Sequence, residues 1–286
     1  MNSMAKSRHL RDLIRAAETL VMPDAFDPIS ARIIESLGFQ AVQCSGFSMA
    51  VAALRPTEAA LGLEANLILT RAIANAVAVP VMADGEDGFG DPEVTANTVR
   101  AYVKAGVAGI NLEDQVLGQH GPKCIVARDV MLAKLTAARK AAHEVGNAEF
   151  VINGRTDALA VASDRQAGLE EAAERANAYL SAGADLAFVT TVATMDEVRF
   201  LVREVHGPVT IAAGMPYNIG TMSVQALQDA GVARVSLPMV AIFSAIRAMT
   251  ETLRSIRDTQ DFAEVIGKNQ VCGVEEIAAL LKQAGK

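Results

Sequence analysis

Polar and apolar positions along the chain repeat in one order. A stretch with apolar residues at helical spacing is closed by a glycine, and two or three residues later comes a short run that is apolar throughout. The order is plainest at SLGFQAV, KAGVAGI, SAGADLA and DAGVARV. Gly38, Gly106, Gly183 and Gly231 then stand where a helix ends in the left-handed conformation that glycine adopts most cheaply. The apolar runs are LVMPDAF, AVQCSGF, VPVMADG, GINLED, FVINGRTD, LAFVTT, VTIAAG and RVSLP, eight in all. Most are continuously apolar, as expected of parallel strands covered on both faces. Eight parallel strands with helices between them predict an α/β fold of the (β/α)8 TIM barrel type, with an open doubly wound sheet as the alternative.

Beyond the last run, residues 240–286 hold more chain than one closing helix needs. VAIFSAIRAMTETLRSIRDT has apolar residues at helical spacing, and a short helix is expected behind Val274 and Glu275. No Pro- or Ser-rich linker breaks the chain, so residues 1–286 read as a single barrel domain with 240–286 as a C-terminal helical extension. Part of that extension is expected to pack on another subunit of a homo-oligomer, or else to fold back on its own barrel.

Composition narrows the function classes. With 286 residues, 51% of them hydrophobic, the chain can bury a large core without disulfides. The net charge of −7 argues against nucleic acid as a partner, which would need clustered Lys and Arg. No run of about 20 apolar residues offers a membrane span, and the basic N-terminal stretch lacks the apolar core of a signal peptide. Cys44, Cys124 and Cys272 are odd in number and widely spaced, which suits free thiols in a reducing, cytoplasmic setting. Cys44 reads as a small core residue. No dinucleotide fingerprint, phosphate loop or zinc spacing is present.

The chemistry gathers at the strand ends, where a barrel of this kind assembles its reactive face. VMADGEDGFGDPE runs from a buried strand straight into Asp84, Glu86 and Asp87 among glycines. Ser45-Gly46-Phe47 follow the second strand, Glu113-Asp114 the fourth, and Arg155-Thr156-Asp157 the fifth. Carboxylates crowded on adjacent strands repel one another unless a cation or protons neutralise them. A hard divalent ion such as Mg²⁺ fits such oxygen donors, and Arg155 suits a substrate carboxylate. Asp91 and Pro92 read as a helix start, and Asp87 fits an ordinary turn as well as a functional role.

These motifs resemble the isocitrate lyase and phosphoenolpyruvate mutase superfamily over nearly the whole chain, in its 2-methylisocitrate lyase-like and oxaloacetate decarboxylase-like branch. ADGEDGFGDP looks like that family's Asp-Ala-Asp-Thr-Gly-Phe-Gly signature, and INLEDQ and INGRTDA lie at the expected distances. The resemblance implies that Asp84, Glu86 and Glu113 hold Mg²⁺ (with Mn²⁺ as a substitute) and its waters. It further implies that Ser45, Gly46 and Phe47 hold a substrate carboxylate or enolate oxygen, and that Arg155 binds a carboxylate. The family habit adds a homotetramer, a dimer of dimers, whose last helix is swapped between subunits.

Four departures stand out. Glu86 replaces the family's second Asp; Pro56-Thr57-Glu58 replaces a Pro-Asp pair, losing an acid unless Glu58 turns inward; and VTTVAT leaves Thr190 or Thr191 where lyases carry an acid. The mobile loop with its Cys-Gly-His is shortened to LGQHGPKCIVARDVML, so Cys124 does not simply inherit the acid role, and His120 is an alternative proton donor. The leading expectation is a Mg²⁺-dependent carbon–carbon lyase that cleaves or decarboxylates a small 2-hydroxy or 2-oxo dicarboxylate through an enolate-like intermediate. The alternatives are a phosphoenolpyruvate-type phosphonomutase or phosphonopyruvate hydrolase, and a catalytically altered protein that only binds an oxo acid.

Overall fold

A computed structural model describes residues 2–118 and 122–282. Its strands are β1 (Leu20–Ala25), β2 (Val42–Cys44), β3 (Val81–Asp84), β4 (Gly109–Glu113), β5 (Val151–Thr156), β6 (Leu186–Val189), β7 (Val209–Ala212) and β8 (Arg234–Leu237). The helices between and around them are α1 (Ser3–Arg15), α2 (Pro28–Ser36), α3 (Gly46–Ala52), α4 (Glu58–Ala76), α5 (Pro92–Lys104), α6 (Arg128–Glu144) and α7 (Ala158–Val161). They continue with α8 (Arg165–Ser181), α9 (Met195–Glu204), α10 (Val224–Asp229), α11 (Val240–Thr259), α12 (Ala263–Gly267) and α13 (Val274–Leu281).

The strands pair in parallel in sequence order, and β8 closes on β1 through Leu20 beside Arg234 and Met22 beside Ser236. The predicted barrel is therefore the observed one, and the open sheet is excluded. All four junction glycines carry positive φ, +87° at Gly38, +89° at Gly106, +113° at Gly183 and +84° at Gly231. Asp91 accepts the N–H groups of Glu93 and Val94 at 2.9 Å, capping α5 with Pro92 at its first position.

One strand is shorter than its apolar run. AVQCSGF reads as extended through Phe47, but β2 stops at Cys44 because Ser45 caps a helix, its hydroxyl accepting the Ser48 N–H at 3.2 Å. The run is apolar across both elements, so its pattern hides the switch.

The two ends of the barrel differ. At the amino ends of the strands, Leu10 and Ile14 of α1 pack with Leu20, Met22, Met82, Val151 and Leu186 and plug the opening. The carboxyl ends stay open. Within the C-terminal extension, α13 folds back on α2, where Arg32 donates to the Leu280 carbonyl at 3.1 Å. In α11 only Ile242 is buried, whereas Val240, Phe243, Ile246, Met249 and Leu253 are exposed. No described helix is long and apolar enough to cross a membrane.

Candidate functional site

The open end of the barrel holds a cavity of about 290 Å³, lined among others by Ser45, Phe47, Asp84, Glu86, Glu113 and Arg155. Register explains the grouping. Asp84 pairs with Asn111, and two residues further along Glu113 pairs with Arg155, so strands β3 to β5 place these inward side chains on two successive levels at one end of the barrel. Because side chains alternate across a strand, Asp114 points away from Glu113's face. It accepts hydrogen bonds from the Tyr179 hydroxyl at 2.6 Å, Thr156 at 2.7 Å, the Asp157 N–H at 2.8 Å and Arg175 at 3.2 Å. This buried network fixes the backbone that carries Asp157.

Gly46 is packed directly against the acids. Its N–H donates to Asp84 Oδ2 at 2.8 Å, and a Cβ there would lie only 1.6 Å from Glu86 Oε1. Glu86 sits in the left-handed region at φ +49°, which swings its side chain back over Gly46. Its Oε1 is buried with no hydrogen-bond donor. A buried carboxylate oxygen without a donor is costly unless a ligand or a proton meets it.

Arg155 supplies the positive charge. Its Nη1 lies 2.5 Å from Glu113 Oε2, an ion contact and not an aligned hydrogen bond, while Nε and Nη2 donate to Asp157 at 2.9 and 3.2 Å. Asp157 also receives Lys123 at 2.5 Å and the Thr190 hydroxyl at 3.1 Å. The guanidinium stands 5.6 Å from the centre of the Phe188 ring, so its planar face is packed while its edge is shared between carboxylates.

Burial dominates the electrostatics. It raises the pKa of Asp84, against the Gly46 N–H and the Arg155 and Arg234 cations. Glu86 is pushed far above the usual carboxylate range by burial and then by the charges of Asp84, Glu113 and Glu58. Burial takes Glu113 up to about 8 despite Arg155. Asp157 is the exception: burial pulls it upward, but Arg155 and Lys123 outweigh that and hold it at about 2. One side of the cavity thus keeps its charge, and the other stores protons that a cation would displace.

Among the described residues, no three acidic, imidazole or thiol side chains already converge as a preformed metal cage. Asp84 is drawn to the Gly46 N–H and Glu113 to Arg155. Mg²⁺ needs no such cage, since it binds through one or two carboxylates and keeps several waters. Glu58, in the first turn of α4, does reach the cavity, while Thr57 caps that helix through the Ala60 N–H. Thr190 and Thr191 both line it as well, and Thr191 is held at φ +59°.

Other readings separate in the same way. Asp87 is a turn residue, accepting the Phe89 N–H at 2.8 Å. Cys124 is half-buried outside the cavity lining, and His120 lies outside the described residues. Tyr217 lines the cavity, whereas Asn218 is buried and builds the turn by binding Met215, Val192 and Ala212. Lys123 and the pairing role of Asp157 were not singled out by spacing; the adjacency of Asp157 to Arg155 was the available signal.

Comparison with known proteins agrees with this geometry. The family profile described as phosphoenolpyruvate phosphomutase matches residues 10–257. The chain is 31% identical to 2,3-dimethylmalate lyase of Eubacterium barkeri, over 97% of this chain and 96% of that one. It is 30% identical to oxaloacetate decarboxylase of Rhodopseudomonas palustris, over 100% and 97%. A phosphonopyruvate hydrolase solved with oxalate and Mg²⁺ superposes with a TM-score of 0.84 at 28% identity, covering 96% of this chain and 94% of that one.

Two outcomes follow. Gly46→Ala should leave the far-UV circular dichroism unchanged but drive Glu86 off its position, weakening Mn²⁺ binding read by electron paramagnetic resonance; unchanged binding would contradict the packing at Gly46. The second concerns pH. Between the ordinary value of 4.5 and about 8, the folded chain keeps the Glu113 proton that the unfolded chain has lost. Stability of the metal-free protein should then be greatest at the acid end of that window and fall as pH rises through it. Urea midpoints in EDTA would show this, and Glu113→Gln should flatten the slope.

Proposed function

Because the chain belongs to the isocitrate lyase and phosphoenolpyruvate mutase superfamily, we propose that it is a Mg²⁺-dependent carbon–carbon lyase for a small 2-hydroxy or 2-oxo dicarboxylate. Retro-aldol cleavage and decarboxylation both fall within this reading. The observation that carries it is that buried Asp84, Glu86 and Glu113 line one cavity together with Arg155, which stands on the strand next to Glu113 and touches it. The dimethylmalate lyase and the oxaloacetate decarboxylase above are named for acids of this kind, and the phosphonopyruvate hydrolase was solved with oxalate and Mg²⁺.

Asp84 and Glu86 would hold the cation directly, the unsatisfied Glu86 Oε1 being the readiest donor, with Glu113 acting through water. When bound, Mg²⁺ would stabilise the negative charge that builds on the substrate oxygen as the bond breaks. Arg155 is already oriented by Asp157 through Nε and Nη2. Its Nη1 is the arm that turns from Glu113 to a substrate carboxylate. Ser45 and Phe47 close the same end of the cavity and would fix the second carboxylate or the enolate oxygen. Lys123 and Tyr217 are the proton-bearing groups on the rim, and burial raises the Tyr217 pKa so that its phenol keeps its proton.

Assembly enters the same reading. The exposed apolar row of α11 supports a homo-oligomer in which part of segment 240–286 packs against, and is exchanged with, a second subunit, although the last helix, α13, lies here on its own α2. Light scattering should give a mass near four times 30.1 kDa, and a 30.1 kDa particle would remove this part of the proposal.

The deciding assay is turnover of oxaloacetate, 2-methylisocitrate, 2,3-dimethylmalate and phosphonopyruvate with Mg²⁺, detecting pyruvate and phosphate. Pyruvate without phosphate is expected, abolished by excess EDTA and lowered about 10²-fold or more by Asp84→Ala. Arg155→Lys should mainly raise KM, because an ammonium cannot hold Asp157 through two bonds and still offer a third donor to the substrate carboxylate. Phosphate release would move the protein to phosphonate chemistry, and activity surviving EDTA would overturn the metal-dependent scheme.

A further inference from the structure

Asp24, at the end of β1, has no part in the chemistry proposed above, yet it is 1% exposed and joins three segments of chain. Its Oδ2 accepts the Ser48 hydroxyl of α3 at 2.6 Å and the Met239 N–H at 3.0 Å. Ser48 belongs to the turn that begins at Ser45, whose hydroxyl in turn accepts the Ser48 N–H. Met239 is the residue from which α11 starts, and it is held at φ +64° without a side-chain cap. A non-glycine residue keeps that conformation only where its surroundings fix it. Met239 and its neighbour Pro238 also line the cavity.

A second contact runs parallel to the first. Phe47, on the cavity side of the turn, meets Phe243 one turn into α11 edge to face, with ring centres 6.4 Å apart and planes at 75°. Since Ile242 is the sole buried side chain of α11, these two contacts provide much of what seats the root of that helix on the barrel. The turn that faces the substrate and the helix that carries the exposed apolar row are therefore fastened to one carboxylate.

We propose that Asp24 is a positioning residue that clasps the Ser45–Phe47 turn to the root of α11, so that affinity for the acid in the cavity depends on how that helix is seated. The inference rests on the reading that this cavity binds a small carboxylate together with a divalent cation. By linkage, ligand in the cavity must tighten the root of α11 as much as a well-seated α11 tightens the ligand.

Hydrogen–deuterium exchange over residues 45–52 and 239–246, with calorimetric titration of oxalate in Mg²⁺, tests it on the full chain. Asp24→Ala should speed exchange in both segments and weaken oxalate about tenfold. Asp24→Asn keeps an acceptor oxygen in place and should stay near the wild type in both readouts. Phe243→Ala, outside the cavity lining, should speed exchange over residues 45–52, and it carries the test if Asp24→Ala does not fold. In the wild type, oxalate with Mg²⁺ should slow exchange over residues 239–246, and in Asp24→Ala this slowing should vanish. Faster exchange confined to one segment, or Asp24→Asn as damaging as Asp24→Ala, would overturn the clasp. If oxalate fails to bind the wild type, the ligand reading falls by itself, while the exchange of the ligand-free variants still decides the clasp.

Discussion

The open end of this barrel is governed by an imbalance of charge: Asp84, Glu86, Glu113 and Asp157 crowd one cavity in which Arg155 and Lys123 are the cations. Arg155 cannot satisfy all of them. It divides its edge between Glu113 and Asp157, and with Lys123 it keeps Asp157 ionised at a pKa of about 2. Burial nonetheless lifts Glu113, although it touches Arg155, to about 8, and lifts Asp84 and Glu86 above the usual carboxylate range as well. Protons relieve this crowding of buried acids, and a divalent cation taking their place would relieve it in the same way.

The rest of the fold serves to keep that strained arrangement from relaxing. Plugging by α1 makes the amino ends of the strands the rigid end, and the strand register sets Glu113 beside Arg155 without any freedom in sequence separation. Asp114 accepts the Asp157 N–H and the Thr156 hydroxyl and is itself held by Tyr179 and Arg175 of α8 on the outer face. Gly46 allows the α3 turn to donate to Asp84 while the Glu86 carboxylate lies where a Cβ would otherwise displace it. The precision of the cavity therefore comes from residues that never face it.

The departures from the family signature are compensated locally. Glu86 is one methylene longer than an Asp, and its left-handed backbone takes up the extra length by folding the side chain back over Gly46. Glu58 brings back to the cavity the acid that the Pro56-Thr57-Glu58 segment displaces by one position, since Thr57 takes the capping role and Glu58 begins the helix. Just after β6, the Thr190 hydroxyl donates to Asp157, so this position adds no charge to the cavity.

Much of this was legible in the chain itself. Eight apolar runs, the closing glycines at Gly38, Gly106, Gly183 and Gly231, and the acids at the strand ends follow from local rules: periodicity, backbone conformation and the cost of burying charge. Those rules act over a few residues and so fix the elements, the barrel and the strand ends on which chemistry collects. They do not fix which way a side chain turns once the elements meet. That Asp114 faces outward while Glu113 faces Arg155, that Asp87 serves a turn, that Cys124 stays outside the cavity lining, and that Asp24 joins β1 to both α3 and α11 depend on register and packing between segments up to 215 positions apart. The chain determines which residues can carry charge to the site, and only closure of the barrel decides which of them share one low-dielectric volume and must answer one another's charge.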